Sequence, residues 1–263
     1  LTFHQKLETK KMNSSLPKIL IAAPTSKSKK YCFEAWLDCA MKIKYPNIII
    51  RLFDNSSDGG VYSRWMNEVF ANKYGRSNPH FSSYFVKTAH KNTNAKIADS
   101  SNAMRQYFLN KKFDYLLCLE SDVMPQENTI EELLYHQKKV IGALYDRDEG
   151  RFRKLTVQKP VTVAKRNIKV MNLTGVGETR DEEIIFIDGT VKQVSSVGLG
   201  CVLIKKDVLE KIEFRFDYSK PDFAPDSHFS EDCFRNKIKI FSHTGIYCNH
   251  YNKAGYWFAE SRK

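Results

Sequence analysis

Short apolar runs alternate with amphipathic stretches between residues 18 and 145 of this 263-residue chain. Each apolar run holds seven or eight residues and is closed by a polar or turn-forming residue, which is typical of a buried strand. The stretches between the runs place apolar residues three and four positions apart, the spacing of one helix face. The predicted strands are 18–24, 47–54, 82–88, 113–120 and 139–145, and the predicted helices are near 33–41, 65–74, 94–110 and 130–138.

This alternation determines the fold class that we expect. Strands that alternate with helices favour an α/β fold with a mostly parallel sheet and helices on both faces. After residue 145 short β-like pieces follow one another, which predicts a mixed or antiparallel extension. Residues 1–16 are expected to be a tail or a non-native remnant. We therefore expect one domain at 17–263, with halves at 17–145 and 146–263.

Composition narrows the class of protein. Hydrophobic residues make up 42% and charged residues 27%, which is an ordinary globular composition and not that of a disordered chain. No apolar run approaches the roughly 18 residues that span a bilayer, and no signal-peptide core is present, so a cytoplasmic protein without a transmembrane segment is expected. Six dispersed cysteines without a CxxC pair favour free thiols over a zinc site.

The charge balance bears on the partner. The formal net charge is +12, which favours nucleotide phosphates, nucleic acid or an anionic surface as partner. A solvated basic surface with no specific partner is an equally good interpretation of the charge alone.

The stretch LLCLESDVMP (116–125) ends a predicted buried strand in two carboxylates, Glu120 and Asp122. Carboxylates are rarely buried unless they are paired or hold a metal. Ligands of parallel α/β sheets bind at the carboxyl ends of strands, and acids at i and i+2 of an extended chain point the same way. Mg²⁺ and Mn²⁺ take carboxylate oxygens together with substrate phosphates. The stretch predicts a metal–diphosphate site, with a solvated turn as the plain alternative.

Four segments resemble, in order, nucleotide-sugar-dependent glycosyltransferases of the GT-A fold, especially the family-2-like group. The resemblance implies a Rossmann-like GT-A sheet, a UDP- or GDP-sugar donor, Mn²⁺ or Mg²⁺ as cofactor, and transfer with inversion. Together the segments span about residues 18–251. They are ILIAAPT with LFDNSSD, then IADSSNAMRQYFLN, then LESDV, and last VGLGCVLIKKDVLEKI with FSEDCF and IYCNHYN.

The resemblance also assigns roles to single residues. Asp122 and His250 correspond to metal ligands, and Asp232, with Glu231 beside it, corresponds to the general base. Glu120 stands where the family usually has an aspartate, which weakens a ribose contact there and leaves Asp122 as the metal ligand. The residues assigned to donor binding are Pro24, Thr25, Asp54, Asn102, Arg105, Glu120 and Ser121.

Several of these residues also have structural alternatives. Asp54 suits a turn cap, Arg105 suits a helix surface, and His250 suits a satisfied structural histidine. The carboxylates at 231–232 suit the first turn of a helix.

The acceptor is expected to be a glycan or a lipid-linked saccharide, reached through peripheral contact with an anionic membrane. DNA with hydroxymethylated bases is the alternative acceptor, since Tyr145, Phe152 and the terminal aromatic residues offer stacking groups beside basic ones. A metal-dependent nuclease or phosphatase that uses Glu120 and Asp122 is a rival enzyme class. A non-catalytic nucleotide- or nucleic-acid-binding module is a further alternative.

Overall fold

The structure is a computed structural model that describes residues 16–149, 152–155, 157–160, 188–221 and 223–251. In the first half it contains every predicted strand and helix, plus a short strand that follows LESD. The strands are β1 Ile19–Thr25, β2 Ile48–Asp54, β3 Phe81–Phe85, β4 Tyr115–Leu119, β5 Val123–Met124 and β6 Val140–Glu149. The helices are α1 Phe33–Met41, α2 Val61–Tyr74, α3 Thr93–Asn110 and α4 Thr129–Tyr135, with a 3-10 turn at Lys27–Lys29.

The described residues of the second half are mainly β-structure. Its elements are β7 Phe152–Leu155, β8 Val157–Pro160, β9 Val191–Val197, β10 Cys201–Lys205, α5 Lys206–Leu209, α6 Pro225–Arg235 and β11 Ile240–His250. The expected tail at 1–15, most of the EIIFIDG piece and the terminal aromatic residues from 252 onwards lie outside the described residues, as do the side chains of 146–160.

One sheet carries both halves of the described chain, in the order β3-β2-β1-β4-β10-β6-β11-β9-β8. Strands β3, β2, β1 and β4 pair with one another in parallel. Strand β10 is antiparallel to both β4 and β6, and β11 is parallel to β6 but antiparallel to β9. The prediction of a mostly parallel sheet with a mixed extension is therefore confirmed.

Apolar layers cover both faces of the sheet, which explains why the central strands are apolar at nearly every position. Along β1, Ile19 and Ile21 belong to the layer that includes Trp36 of α1, while Leu20 and Ala22 belong to the opposite layer. The second layer includes Phe108 of α3, Leu209 of α5 and Phe229 of α6. Within the described residues no helix is long and apolar enough to span a bilayer.

The parallel strands bring their carboxyl ends to one edge of the sheet. The register pairs Thr25 at the end of β1 with Asp54 at the end of β2. It also pairs Ala22 with Cys118, so that Thr25 lies level with Ser121, just beyond β4. This edge is where the acidic element LESD leaves the sheet.

Candidate functional site

Asp122 is a buried acid at this edge, with 1% of its surface exposed. Its Oδ2 is contacted by the ammonium of Lys29 and lies 3.2 Å from Nε2 of His250. Its Oδ1 is buried and has no hydrogen-bond partner among the described residues. Burial alone would raise the pKa of Asp122, but the hydrogen bond with His250 and the charge of Lys29 hold that pKa below its ordinary value. The carboxylate is therefore charged and incompletely satisfied.

The short strand β5 brings His250 to Asp122. It pairs antiparallel with the end of β11, and His250 stands opposite Val123. The main-chain N–H of Tyr251 also donates to the carbonyl of Asp122 at 2.8 Å. The two predicted metal ligands, 128 positions apart in the sequence, are thus neighbours. Their metal-binding role stays a prediction.

Thr25 and Ser121, both predicted to bind the donor, join the ends of β1 and β4. Their hydroxyl oxygens lie 2.8 Å apart and are buried. Glu120 precedes Ser121, and its main-chain N–H donates to the carbonyl of Gly200 at 2.9 Å. Burial and the nearby charge of Asp122 raise the pKa of Glu120 to about 7. Two acids this close do not both ionise readily, so the pair carries less than its full charge near neutral pH.

Asp54, predicted to bind the donor, is completely buried at the end of β2. Its Oδ1 accepts hydrogen bonds from the main-chain N–H and the hydroxyl of Ser56. Its Oδ2 is buried without a partner in the described part of the chain, and burial raises the pKa of the carboxyl. Pro24, half-buried, lies opposite Phe53 on the neighbouring strand. Asp54 therefore does cap a turn, as its structural alternative holds, and still keeps one oxygen for a ligand.

An open pocket of about 480 Å³ begins directly after Asp54. Its lining combines hydroxyl and amide groups with three lysines and one aromatic ring, a chemistry suited to a phosphate-bearing ligand with a flat ring. The lining includes Asn55, Ser56, Phe85, Lys87, Lys91 and Lys96.

Tyr145 is buried against Gly200 and His250 and is not available to stack on a nucleic-acid base. Its side chain is 5% exposed, its hydroxyl accepts a hydrogen bond from the N–H of Gly200 at 2.9 Å, and its ring meets that of His250 edge-on at 5.7 Å. A Cβ at Gly200 would overlap the phenol ring. The expectation that Tyr145 stacks on DNA is wrong, because the ring is enclosed between the Gly200 turn and His250.

Asp226 is the acid that sequence reasoning missed. It lies in the first turn of α6, just after Pro225 at the helix start, and it accepts a hydrogen bond from the N–H of Ser227 at 2.7 Å. Its charge contributes to the raised pKa of both Glu120 and Tyr145, which indicates that it lies in the neighbourhood of that cluster. A proline followed by an acid is a recognisable helix start. This signal, at 225–226, would have put the start of the helix before 231–232.

Asp232 and Glu231, the predicted general base and its neighbour, have arginine partners. Nε of Arg215 lies 2.8 Å from Asp232 Oδ2, and Nη2 lies 2.7 Å from Glu231 Oε2. The Arg215 hydrogen bond holds the pKa of Glu231 below its ordinary value. Asp232 comes six residues after Asp226, which is about 9 Å further along the axis and on another side of the helix. The general-base role of Asp232 stays a prediction.

Asn102 and Arg105, predicted to bind the donor, hold the segment after α5. The Asn102 amide donates to the carbonyl of Phe214 at 2.5 Å and accepts from its N–H at 2.9 Å. Arg105 is 6% exposed, and its Nε donates to the carbonyl of Leu209 at 2.6 Å. Because α5 follows the end of β10 that pairs with the start of β4, these bonds lie towards the opposite edge of the sheet. The structure does not bring Asn102 and Arg105 to Asp122.

Known proteins were compared at the level of sequence and structure. No protein-family model and no curated protein sequence matches the chain. The mannosyltransferase PcManGT from Pyrobaculum calidifontis, solved with GDP-Man and Mn²⁺, matches with a TM-score of 0.56 and 15% identity over 92% of this chain and 59% of its own. TarS from S. aureus, solved with UDP-GlcNAc, matches with a TM-score of 0.53 and 16% identity over 88% of this chain and 58% of its own.

A third match is GalNAc-T7, solved with UDP, GalNAc and Mn²⁺, with a TM-score of 0.58 and 10% identity over 93% of this chain and 46% of its own. The chain has a GT-A fold. The expectation from the four sequence segments is confirmed at the level of the fold. The chain spans about three fifths of the TarS and mannosyltransferase chains and about half of GalNAc-T7.

We predict that Asn102→Ala and Arg105→Ala each lower the free energy of unfolding by about 1–3 kcal/mol, because buried groups lose their partners. Nucleotide affinity should stay within about twofold of the parent protein, since neither side chain faces Asp122. Urea unfolding and calorimetric nucleotide titration measure the two effects. A large loss of nucleotide affinity with unchanged stability would restore both residues to donor binding.

We predict that Gly200→Ala destabilises the fold by about 1–3 kcal/mol, the usual result of overpacking. Tyr145→Ala removes the ring that the new methyl group would strike, so the double variant should lose less stability than the two single losses combined. Urea unfolding of the four proteins gives this coupling. Strictly additive losses would show that the Gly200–Tyr145 contact does not limit this position.

Proposed function

We propose that the chain is a metal-dependent glycosyltransferase that moves a sugar from a nucleoside-diphosphate sugar to an acceptor hydroxyl. The observation that carries the proposal is the buried Asp122 carboxylate at the end of the central strand. One of its oxygens lacks a partner among the described residues, and the other faces His250. The shared fold supports the proposal, since PcManGT was solved with GDP-Man and Mn²⁺ at similar overall architecture.

Asp122 and His250 would hold the metal ion. A ligand set of one carboxylate oxygen and one imidazole nitrogen suits Mn²⁺ better than it suits Ca²⁺ or Mg²⁺, which prefer oxygen ligands alone. The described residues contain no group of three or more His, Cys, Asp or Glu side chains placed for a metal. The other positions would therefore fall to diphosphate oxygens and water, as is common for cations shared with substrate phosphates. When bound, such an ion neutralises charge on the departing diphosphate.

The donor nucleoside would lie along the ends of β1 and β2. The unpartnered Oδ2 of Asp54 suits an N–H donor on a uracil or guanine ring, which favours UDP- or GDP-sugars. Thr25, Ser121 and Glu120 would line the path from the base to the diphosphate. Pro24 would add an apolar surface beside the base.

Asp226 would act as general base. Its charge acts on both Glu120 and Tyr145, and from that neighbourhood the Asp226 carboxylate would take the proton of an acceptor hydroxyl as the hydroxyl oxygen attacks the anomeric carbon. A bond forms between the acceptor oxygen and that carbon, and the bond from the carbon to the diphosphate oxygen breaks. Direct in-line attack inverts the anomeric configuration.

The acceptor that we propose is a glycan or a lipid-linked saccharide. The net charge of +12 supports an acceptor presented at an anionic membrane surface. An enzyme that acts on DNA with hydroxymethylated bases would use the same positive charge to bind the phosphates. This alternative predicts binding to duplex DNA that weakens steeply with added salt. A nuclease or phosphatase would leave the unpartnered Asp54 oxygen and its pocket without a role.

We expect one nucleoside diphosphate, of uridine or guanosine, to raise the melting temperature only when Mn²⁺ is present. Asp122→Asn should remove this stabilisation, whereas Glu34→Gln, at an exposed acid of α1, should keep it. A thermal-shift panel of nucleoside diphosphates and nucleotide sugars, with and without Mn²⁺, provides the measurement. Equal stabilisation without metal, or by every nucleotide, would contradict the proposed site.

The Asp226→Asn variant should bind the donor normally but transfer sugar at least about 100-fold more slowly, because a general base contributes roughly that much. Asp232→Asn is the matched control, since it carries the same change one helix face away. Its effect should appear in stability through the lost Arg215 pair. Rates from radiolabelled donor would contradict this assignment if Asp232→Asn stopped transfer while Asp226→Asn did not.

A further inference from the structure

Lys29 contacts Oδ2 of Asp122, the oxygen that also faces His250 and that a metal held by both residues would therefore use. It belongs to the 3-10 turn that follows β1, and its side chain is 37% exposed. The neighbouring lysines behave differently: Lys27 is exposed, and Lys30 lies over the ring of Trp65 at 4.5 Å. Of the three, Lys29 is the lysine that turns inwards to the acid.

The turn that carries Lys29 is fastened on both sides. The N–H of Lys27 donates to the hydroxyl of Ser56 at 2.7 Å, and the thiol of Cys32 donates to the carbonyl of Ser121 at 3.2 Å. These bonds tie the turn to the loop after β2 and to the LESD element. The main chain that carries Lys29 is therefore held in place by contacts with two other segments, and these contacts keep the Lys29 ammonium near Asp122.

A second set of contacts joins the segment after the turn to the residue that follows β11. The ring of Tyr31 stacks on that of Tyr251, with centroids 5.9 Å apart, and its hydroxyl donates to the carbonyl of Tyr251 at 3.1 Å. Tyr251 in turn donates its N–H to Asp122. Turn, acid and the end of β11 form one connected unit.

The charges explain why an ammonium is held there. Glu120 and Asp122 are like-charged, close and shielded from water, which is unfavourable without a positive partner. Burial lowers the pKa of Lys29, but the charge and the hydrogen bond of Asp122, together with the charge of Glu120, raise it overall. A permanent positive charge therefore balances Asp122 when no metal is bound.

We propose that Lys29 is a tethered cation that competes with the divalent metal for Oδ2 of Asp122. The inference rests on the proposed function. A metal ion at this oxygen would repel the ammonium, so binding the metal requires the Lys29–Asp122 pair to open. The released ammonium remains within side-chain reach of the site, where diphosphate oxygens give it a new negative partner.

Competition of this kind couples metal and diphosphate binding. The apparent metal affinity equals the intrinsic affinity multiplied by the fraction of molecules in which the Lys29–Asp122 pair is open. A diphosphate that accepts the released ammonium favours the open state, so each ligand strengthens the binding of the other by the same factor.

Lys29→Met tests the inference, since methionine keeps much of the length and removes the charge. The readout is Mn²⁺ uptake, followed by the electron paramagnetic resonance signal of free Mn²⁺, without donor or acceptor turnover. We expect Lys29→Met to bind Mn²⁺ about tenfold more tightly than the parent protein if the pair is closed about nine-tenths of the time. The gain in Mn²⁺ affinity on adding UDP or GDP should shrink in this variant.

Two control variants isolate the contact from the overall charge. Lys27→Met removes one charge from the same turn and should bind Mn²⁺ as the parent protein does. Lys29→Arg keeps the charge and should also retain weak binding in the absence of nucleotide. Unchanged or weaker Mn²⁺ affinity in Lys29→Met, relative to Lys27→Met, would overturn the inference.

The outcomes separate this inference from the proposed function. Nucleotide-dependent Mn²⁺ uptake that Asp122→Asn abolishes but Lys29→Met leaves unchanged would overturn the competition alone. Absence of Mn²⁺ uptake in the parent protein and in Lys29→Met, with and without UDP or GDP, would overturn both. Circular dichroism of each variant confirms that the comparison is between folded proteins.

Discussion

A carboxylate buried at the end of the central strand requires a positive partner, and the arrangement around Asp122 follows from that requirement. Ionised acids are rarely enclosed without a counter-charge, since desolvation costs several kcal/mol. The chain provides Lys29 from the turn after β1 and His250 from the end of β11. Even so, one carboxylate oxygen has no partner among the described residues, which leaves room for a ligand.

The sheet explains how distant segments reach this acid. Parallel strands β1, β2 and β4 bring Thr25, Asp54 and LESD to one edge. Antiparallel β10 then inserts between β4 and β6, and β11 extends far enough to pair with β5 beside Asp122. The helices cover both faces, so the edge with the strand ends is where polar groups from several elements meet.

Periodicity predicted the first half of the fold well because local hydrophobic spacing reflects burial on each face of an element. The position of LESD at the end of a buried strand also predicted that Asp122 lies at the carboxyl ends of the parallel strands. The proximity of His250 came from the family resemblance, since no local pattern reveals the pairing of β5 with β11. The prediction that Tyr145 stacks on a base is wrong because the sequence does not show that Gly200 makes room for its ring.

The candidate general base also depends on long-range contacts that the sequence does not reveal. The acidic pair at 231–232 is conspicuous in the sequence, but its charge is matched by Arg215, sixteen residues away from the first of them. Asp226 is less conspicuous and is set by where α6 begins. Lys29 is one of three lysines at 27–30 in a basic chain, and only its contact with Asp122 distinguishes it from the other two.

The most direct test of the central claim is anomalous X-ray scattering from crystals grown with Mn²⁺ and UDP or GDP. The account predicts one manganese peak within coordination distance of both the Asp122 carboxylate and the diphosphate, with the Lys29 ammonium moved away from Asp122. A diphosphate bound elsewhere, with Lys29 still on Asp122 and no manganese beside it, would contradict the account.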